Sequence, residues 1–329
     1  NRRICFSRMI ETTGANPVAL TAQNVKQRLG KRAKILAAIR HYFDQQQVLE
    51  VDTPLLSDYP VTDPQLDNIK VENPTVNYQS NSQPWLYLTT SPEYAMKQLL
   101  SLGSGSIYQI SKSFRQDAPS PKHSIEFTLL EWYRVGFKMF DLIDDVTALL
   151  VTLMPTSIMA NGVEILSYRE AFLRHLSIDP FILTTKQLED FAHQNIDCDF
   201  SDQDKDVWLD LLMSHCIEPN LGQETPCFLI DYPASQAALA KIAHDKQGDL
   251  VAKRFELYIE GIELANGYEE LTDHDQHVDR FEQDNQRRCE LDLPTQAVDQ
   301  HFLKALKSGL PECAGVALGV DRLLLLAVS

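Results

Sequence analysis

The chain has 329 residues, is 44% hydrophobic, and carries 30 Lys and Arg against 46 Asp and Glu, a formal charge of −16. That length suffices to bury a sizeable core in one large domain or two closely packed ones. The acidic balance repels a nucleic-acid backbone and argues against a dedicated nucleic-acid binder.

Residues 1–24 are polar and aperiodic, a lead-in without the charged and then apolar pattern of a secretory signal. From Val25, Leu29, Ala33, Leu36, Ile39 and Phe43 recur every three or four residues and predict a helix with one apolar face. Its basic stretch, "VKQRLGKRAKILAAIR", reads as a solvated helix face more readily than as a nucleic-acid patch. "VLEVDTPLL" predicts an alternating strand that stops at Thr53-Pro54. "PWLYLTTSPEYAMKQLL" predicts strand, turn and helix, with Ser91 as cap, Pro92 at the first position and Glu93 in the first turn. "GSIYQISKSFR" and "IEFTLLEWYRV" predict an antiparallel pair across a loop rich in Pro and Ser.

Residues 139–218 predict a mostly helical insertion. "PCFLIDYP" then reads as a buried strand, and "RFELYIEGIELANGYEEL" as two strands around Glu260-Gly261. "HDQHVDRFEQDNQRRCEL" reads as a charged helix, and "GVALGVDRLLLLAV" as a strand entering an apolar helix. The pattern is α+β, an antiparallel sheet flanked by helices, and it lacks the βαβ alternation of parallel folds. Six cysteines, at 5, 198, 216, 227, 289 and 313, have neither CxxC nor metal-knuckle spacing, as expected of reduced thiols in a cytoplasmic protein. The longest apolar run, "LLLLAV", is too short to cross a membrane.

Three segments carry candidate chemistry. Strand alternation puts Arg115 and Asp117 on one side, and Phe127, Glu131 and Tyr133 on one side of the returning strand. An arginine suits bidentate contact with phosphate or carboxylate, and a Phe face suits a flat heterocycle. An ordinary hairpin with a cross-strand ion pair accounts for these residues equally well. In "RFELYIEGIELANGYEEL", Glu256, Glu263 and Glu270 recur at intervals of seven. Clustered carboxylates of this kind need a cation, and hard oxygens suit Mg²⁺; the bland alternative is an acidic edge strand. Gly315 and Gly319 allow close backbone approach, and Arg322 follows at a helix start, a weak glycine pattern alone. Combined, the segments describe an ATP site without the usual phosphate-loop motifs.

At this point the residues resemble a known family, the class II lysyl-tRNA synthetases. "VLEVDTPLL" is similar to motif 1, "SFRQD…IEFTLLEWYR" to motif 2 and "GVALGVDRL" to motif 3, in order from about Val25 to the end. The resemblance implies a synthetase-like catalytic domain over 25–329, with ATP and Mg²⁺ as its cofactors and a homodimer packed through motif 1. It implies that Arg115 and Arg322 are catalytic, holding the α- and γ-phosphates. Gln116, Asp117, His123, Ser124, Phe127, Glu263, Leu264 and Gly319 would complete the ATP site, and Glu256 and Glu263 would bind the metal. Ser91, Pro92, Glu93, Glu131, Tyr133, Asn266, Tyr268, Glu270 and Ala317 would line the pocket for a diamino acid.

In particular the chain resembles the paralogous branch whose acceptor is a protein, elongation factor P, and whose amino acid is β-lysine. An N-terminal anticodon-binding barrel is not expected, because motif 1 begins so early. "DYPASQAALAKI" fits that branch, and Ala317 stands where lysyl synthetases carry glycine. A tRNA-charging catalytic core and a non-catalytic amino-acid-binding paralogue are the alternatives. The sequence departs from the family at Asp117, where Glu is usual, and in "APSPKHSI", where Ser124 and Ile125 replace Asn and Pro while His123 matches.

Overall fold

The computed structural model describes residues 22–75, 84–116, 124–201 and 203–327. A long helix, α1 (Ala22–Gln45), leads into the strands β1 (Leu49–Glu50), β2 (Leu56–Ser57), β3 (Lys70–Glu72) and β4 (Trp85–Leu88). Helix α2 (Glu93–Ser101) precedes the long strands β5 (Ile107–Phe114) and β6 (Glu126–Val135). Next come α3 (Met139–Leu153), α4 (Thr156–Met159), β7 (Glu164–Ser167), α5 (Tyr168–Leu176), α6 (Thr185–Asn195) and α7 (Lys205–Leu212). The strands β8 (Cys227–Pro233), β9 (Ile242–His244), β10 (Leu250–Ile259) and β11 (Ile262–Glu269) follow. The described chain closes with α8 (His274–Glu290), α9 (Gln300–Ser308), β12 (Cys313–Gly319) and α10 (Val320–Leu326). It divides into two compact units, Asn1–Tyr133 with Thr272–Pro311 and Gly319–Ser329, and Arg134–Leu271 with Glu312–Leu318.

In the first unit, β5 and β6 pair antiparallel with Gln109 opposite Glu131 and Ser113 opposite Phe127, and β1 runs parallel to β5. Aromatic packing joins helix to sheet: Phe43 of α1 stacks on Tyr108 at 4.4 Å and meets the Trp132 ring edge at 5.4 Å. Each such fully buried aromatic contributes about 1.5–3 kcal/mol of apolar burial. The expected apolar face of α1 is buried at Ile39 and Phe43, whereas Leu29 is 48% exposed. Arg32 and Arg40, part of the basic stretch, are paired within the fold with Asp321 and Glu50. The "VLEVDTPLL" strand is shorter than expected, only Leu49–Glu50, although Thr53 N still donates to Gln109 Oε1 at 3.1 Å.

The second unit holds strands in the order β12-β11-β10-β8-β7, with β9 on β10. The helical insertion contains an unexpected strand: β7 pairs parallel with β8, and its four residues are too few to show a period. Trp208, Tyr168 and Phe172 lie at the centre of its core. The β10–β11 turn is Glu260 (φ 52°) and Gly261 (φ 70°), both left-handed, as a tight two-residue hairpin requires. The expected α+β character holds. Among the described residues no helix is long and apolar enough to cross a membrane.

One irregularity in this hairpin decides which residues face together. Glu256 pairs with Asn266 and Leu257 with Ala265, but Tyr258 pairs with Glu263, so Leu264 is an extra residue on β11. Strand side chains alternate, and an inserted residue reverses the alternation beyond it. Glu263 therefore joins Tyr258, Glu256, Arg254, Asn266 and Tyr268 on one face.

Candidate active site

In the first unit the structure brings four expected substrate residues into one hydrogen-bonded group. Glu131 projects from β6 on the same face as Phe127 and Tyr133. Its Oε2 accepts from Ser91 Oγ at 2.8 Å, and its Oε1 accepts from Tyr133 OH at 2.7 Å. Ser91 Oγ also accepts from Glu93 N at 3.0 Å, so the serine supports the start of α2 although Pro92 holds the cap position. Glu93 Oε1 accepts from Lys97 Nζ at 2.6 Å. Burial pushes the Glu131 carboxyl up to about 7, Glu93 adds to the rise, and Tyr133, Ser91 and Lys97 oppose it.

Arg115 lies just past the end of β5, and its guanidinium sits over the Phe127 ring, 5.3 Å from the centroid. Its backbone N–H donates to Ile125 O at 3.0 Å, closing the hairpin base. Among the described residues the buried Arg115 Nε has no hydrogen-bond partner. A buried donor left this way costs free energy, which an anionic ligand would recover. Gln116 N donates to Asp67 O at 3.0 Å, and Ser124 is half-buried where the chain re-enters β6. Asp117 and His123 lie outside the described residues.

At the start of α10 the Arg322 side chain folds over Gly319, where an added Cβ would lie 3.5 Å from Arg322 Cδ. Asp321 locks this corner to β6. Its Oδ2 accepts from Thr128 N at 2.7 Å and its Oδ1 from Arg32 Nη1 at 2.8 Å. The anchor is one residue from Phe127, so the helix that carries Arg322 is tied to the strand that carries Phe127. Asp321→Ala is expected to cost about 1–3 kcal/mol of stability through the lost charged hydrogen bonds. It should also slow any reaction that needs Arg322; thermal melts and turnover of the same variant check both.

The second unit has a hydrogen-bonded group of its own. Glu256 on β10 is nearly buried, and its Oε2 accepts from Tyr232 OH at 2.7 Å and Tyr258 OH at 2.5 Å. Its Oε1 pairs with Arg254 and accepts weakly from Asn266 Nδ2 at 3.4 Å. Arg254 Nε donates to Asn266 Oδ1 at 3.3 Å, so the ion pair holds the Asn266 amide from both sides. Burial opposes the charge on Arg254, but Glu256 above all, with Tyr268, Tyr232 and Glu263, holds its pKa above the ordinary value.

Ala317 of β12 is opposite Asn266, and Gly315 opposite Tyr268, so this face continues across the strand pair. Glu270 is buried, its backbone N–H on Cys313 O at 3.0 Å, while Leu264 at the bulge is buried in the core. Glu256 and Glu263 present carboxylate oxygens, the ligand type that Mg²⁺ takes, on one face, although among the described residues no group of three or more His, Cys, Asp or Glu is arranged to hold a metal ion. Because Glu256 already serves Arg254, an added cation there needs further anionic ligands, which a polyphosphate supplies.

Contributors that the sequence does not single out include Lys97, Arg254, Tyr232 and Tyr258. Lys97 had a signal, its i,i+4 spacing from Glu93 on an otherwise apolar helix.

The chain is a member of the class II tRNA synthetases (D, K and N), whose family model matches residues 13–329. Among curated relatives it is 45% identical to the elongation factor P–(R)-β-lysine ligase of Pectobacterium carotovorum subsp. carotovorum (strain PC1), over 98% of this chain and 95% of that protein. The protein of the same name from Photorhabdus laumondii subsp. laumondii is 44% identical, over 97% and 95%. That of Yersinia pestis (strain Pestoides F) is 46% identical, over 91% and 90%.

Proposed function

We propose that this chain is an ATP-dependent ligase that activates (R)-β-lysine as an aminoacyl-adenylate and transfers it to a lysine side chain of elongation factor P. The observation that carries the reading is Arg115, whose buried Nε is unsatisfied among the described residues and whose guanidinium sits over the ring of Phe127, on the same strand as Glu131. An anion, a flat base and a cation are the three features of ATP plus a diamino acid.

In the first step a β-lysine carboxylate oxygen attacks the α-phosphorus, and the bond to the β-phosphate bridging oxygen breaks to release pyrophosphate. Arg115 would neutralise the α-phosphate and orient the carboxylate, Phe127 would stack on the adenine, and Arg322 would hold the γ-phosphate. Catalysis of this kind is positioning and charge stabilisation, and needs no protein nucleophile. Glu256 and Glu263 would hold Mg²⁺, which when bound neutralises phosphate charge. Glu131, with Ser91 and Tyr133 fixing its orientation, would receive the side-chain ammonium, and Asn266, Tyr268, Glu270 and Ala317 would border the same amino acid. In the second step the acceptor ε-amine attacks the carbonyl carbon, the C–O bond to AMP breaks, and the amine loses a proton.

Residues 25–329 would form the catalytic domain. Exposed Leu29 and Leu49 near the start of that span support self-association as a homodimer. All five described cysteines are unbridged, as a cytoplasmic setting keeps them. The test is pyrophosphate exchange followed by label transfer. Exchange should be faster with β-lysine than with α-lysine, and label should pass to elongation factor P. Label passing to tRNA would favour a synthetase core, and exchange with neither amino acid would sink the ligase reading.

A further inference from the structure

We propose that Lys97 is a positioning residue for the amine subsite, a resident ammonium that holds Glu93 beside Glu131 and leaves Glu131 to the substrate. The inference rests on the function proposed above, which makes Glu131 the partner of the substrate's side-chain amine.

The geometry is a nearly closed circuit within one unit. Lys97 Nζ bonds Glu93 Oε1 at 2.6 Å, Glu93 N bonds Ser91 Oγ at 3.0 Å, and Ser91 Oγ bonds Glu131 Oε2 at 2.8 Å. Tyr133 OH bonds Glu131 Oε1 at 2.7 Å, and Lys97 Nζ returns to 6.0 Å from the Tyr133 ring centroid. Lys97 is 1% exposed and lies beside buried Met96 and Leu100, where an apolar side chain would pack without difficulty. Burying an ammonium is costly unless its charge has a partner, so packing alone gives this site no reason for a lysine. Each Glu131 oxygen takes one neutral donor in the circuit. A carboxylate has about four acceptor sites, so Glu131 retains capacity for an ammonium while Glu93 is engaged by Lys97.

Around Glu131 stand Glu93 and Lys97 on α2, Ser91 before it, Tyr133 on the same strand and Gln109 opposite on β5. On α8, His277 bonds Asp273 O through Nδ1 at 2.8 Å, and burial and then Lys97 push it down to about 4, so it is neutral near pH 7. Glu131, pushed up to about 7 by burial and then Glu93, is partly protonated there. An arriving ammonium favours the carboxylate and sends that proton to solvent. Affinity for the diamine therefore rises with pH through about 7 and levels above it. Removing Lys97 moves this rise to higher pH.

Calorimetry tests the idea by titrating β-lysine and ATP separately into the full chain, in buffers of different ionisation enthalpy between pH 6 and 8.5. The wild type is expected to release a fraction of a proton per β-lysine at pH 7, falling towards pH 8.5. Lys97→Met should bind β-lysine at least about tenfold more weakly at pH 7, recover towards pH 8.5, and keep ATP affinity within about twofold. Lys97→Arg should restore part of the loss. If Lys97→Met fails to fold because Glu93 is left half-buried and unpaired, the Lys97→Met/Glu93→Gln variant removes the pair whole. With the chief charge raising Glu131 gone, that variant should release fewer protons than the wild type. An unaltered pH dependence in Lys97→Met, or unaltered proton release in the double variant, overturns the role of Lys97 alone. A wild type that binds neither β-lysine nor lysine overturns both this role and the function on which it rests.

Discussion

Arg115→Ala is expected to reduce adenylate formation by at least about 10³-fold, the scale of removing a principal charge-stabilising donor. The fold should survive the change. Arg115 Nε makes no hydrogen bond among the described residues, and the contact that truncation removes is the guanidinium's place over Phe127. The backbone bond from Arg115 to Ile125 is independent of the side chain and keeps the hairpin base closed. Pyrophosphate exchange measures the loss, and circular dichroism with thermal melting checks the fold. Arg115→Lys should recover little, since a point charge cannot present a planar fork to the phosphate and carboxylate at once. Exchange retained in Arg115→Ala would remove the main support for the proposed site.

The largest stability effect is expected at Arg254. Its guanidinium pairs with Glu256, lies 4.4 Å from the Tyr232 ring centroid and donates to Gln236 O at 2.8 Å. Arg254→Ala leaves Glu256 as a buried charge facing two phenols, and breaking such a pair costs about 3–5 kcal/mol. Urea denaturation should show a lower midpoint with an unchanged slope. The change also frees the Asn266 amide to turn over, so a preparation that stays folded should bind the amino acid less well than ATP. Stability within 1 kcal/mol of the wild type would mean that Glu256 is not held as the geometry indicates.

Much of the arrangement could be read before any coordinates. Phe127, Glu131 and Tyr133 share a face because strand alternation is strict, and the structure joins Glu131 to Tyr133 as parity requires. The junction of "GVALGVDRL" was equally readable, since small residues followed by an apolar run mark a strand entering a helix. The interval of seven between Glu256 and Glu263 was misleading as a pattern. An odd interval across a tight turn says nothing of facing until the register is known, and the register contains a bulge with no local signature. Lys97 and Arg254 escaped notice for a related reason. Buried cations are recognised by what surrounds them, and in the sequence alone their partners Glu93 and Glu256 look equally suited to a cation from outside. The α1 stripe was over-read at Leu29, because periodicity reports an apolar face without saying what covers it.

The extra residue at Leu264 makes the hairpin a phase shifter. A chain one residue shorter there could keep its backbone ladder and its tight reversal, yet would turn Glu263 to the far side of the sheet. Such a deletion would also take a side chain out of the core, so the mutant should melt below its parent as well as present the wrong chemistry.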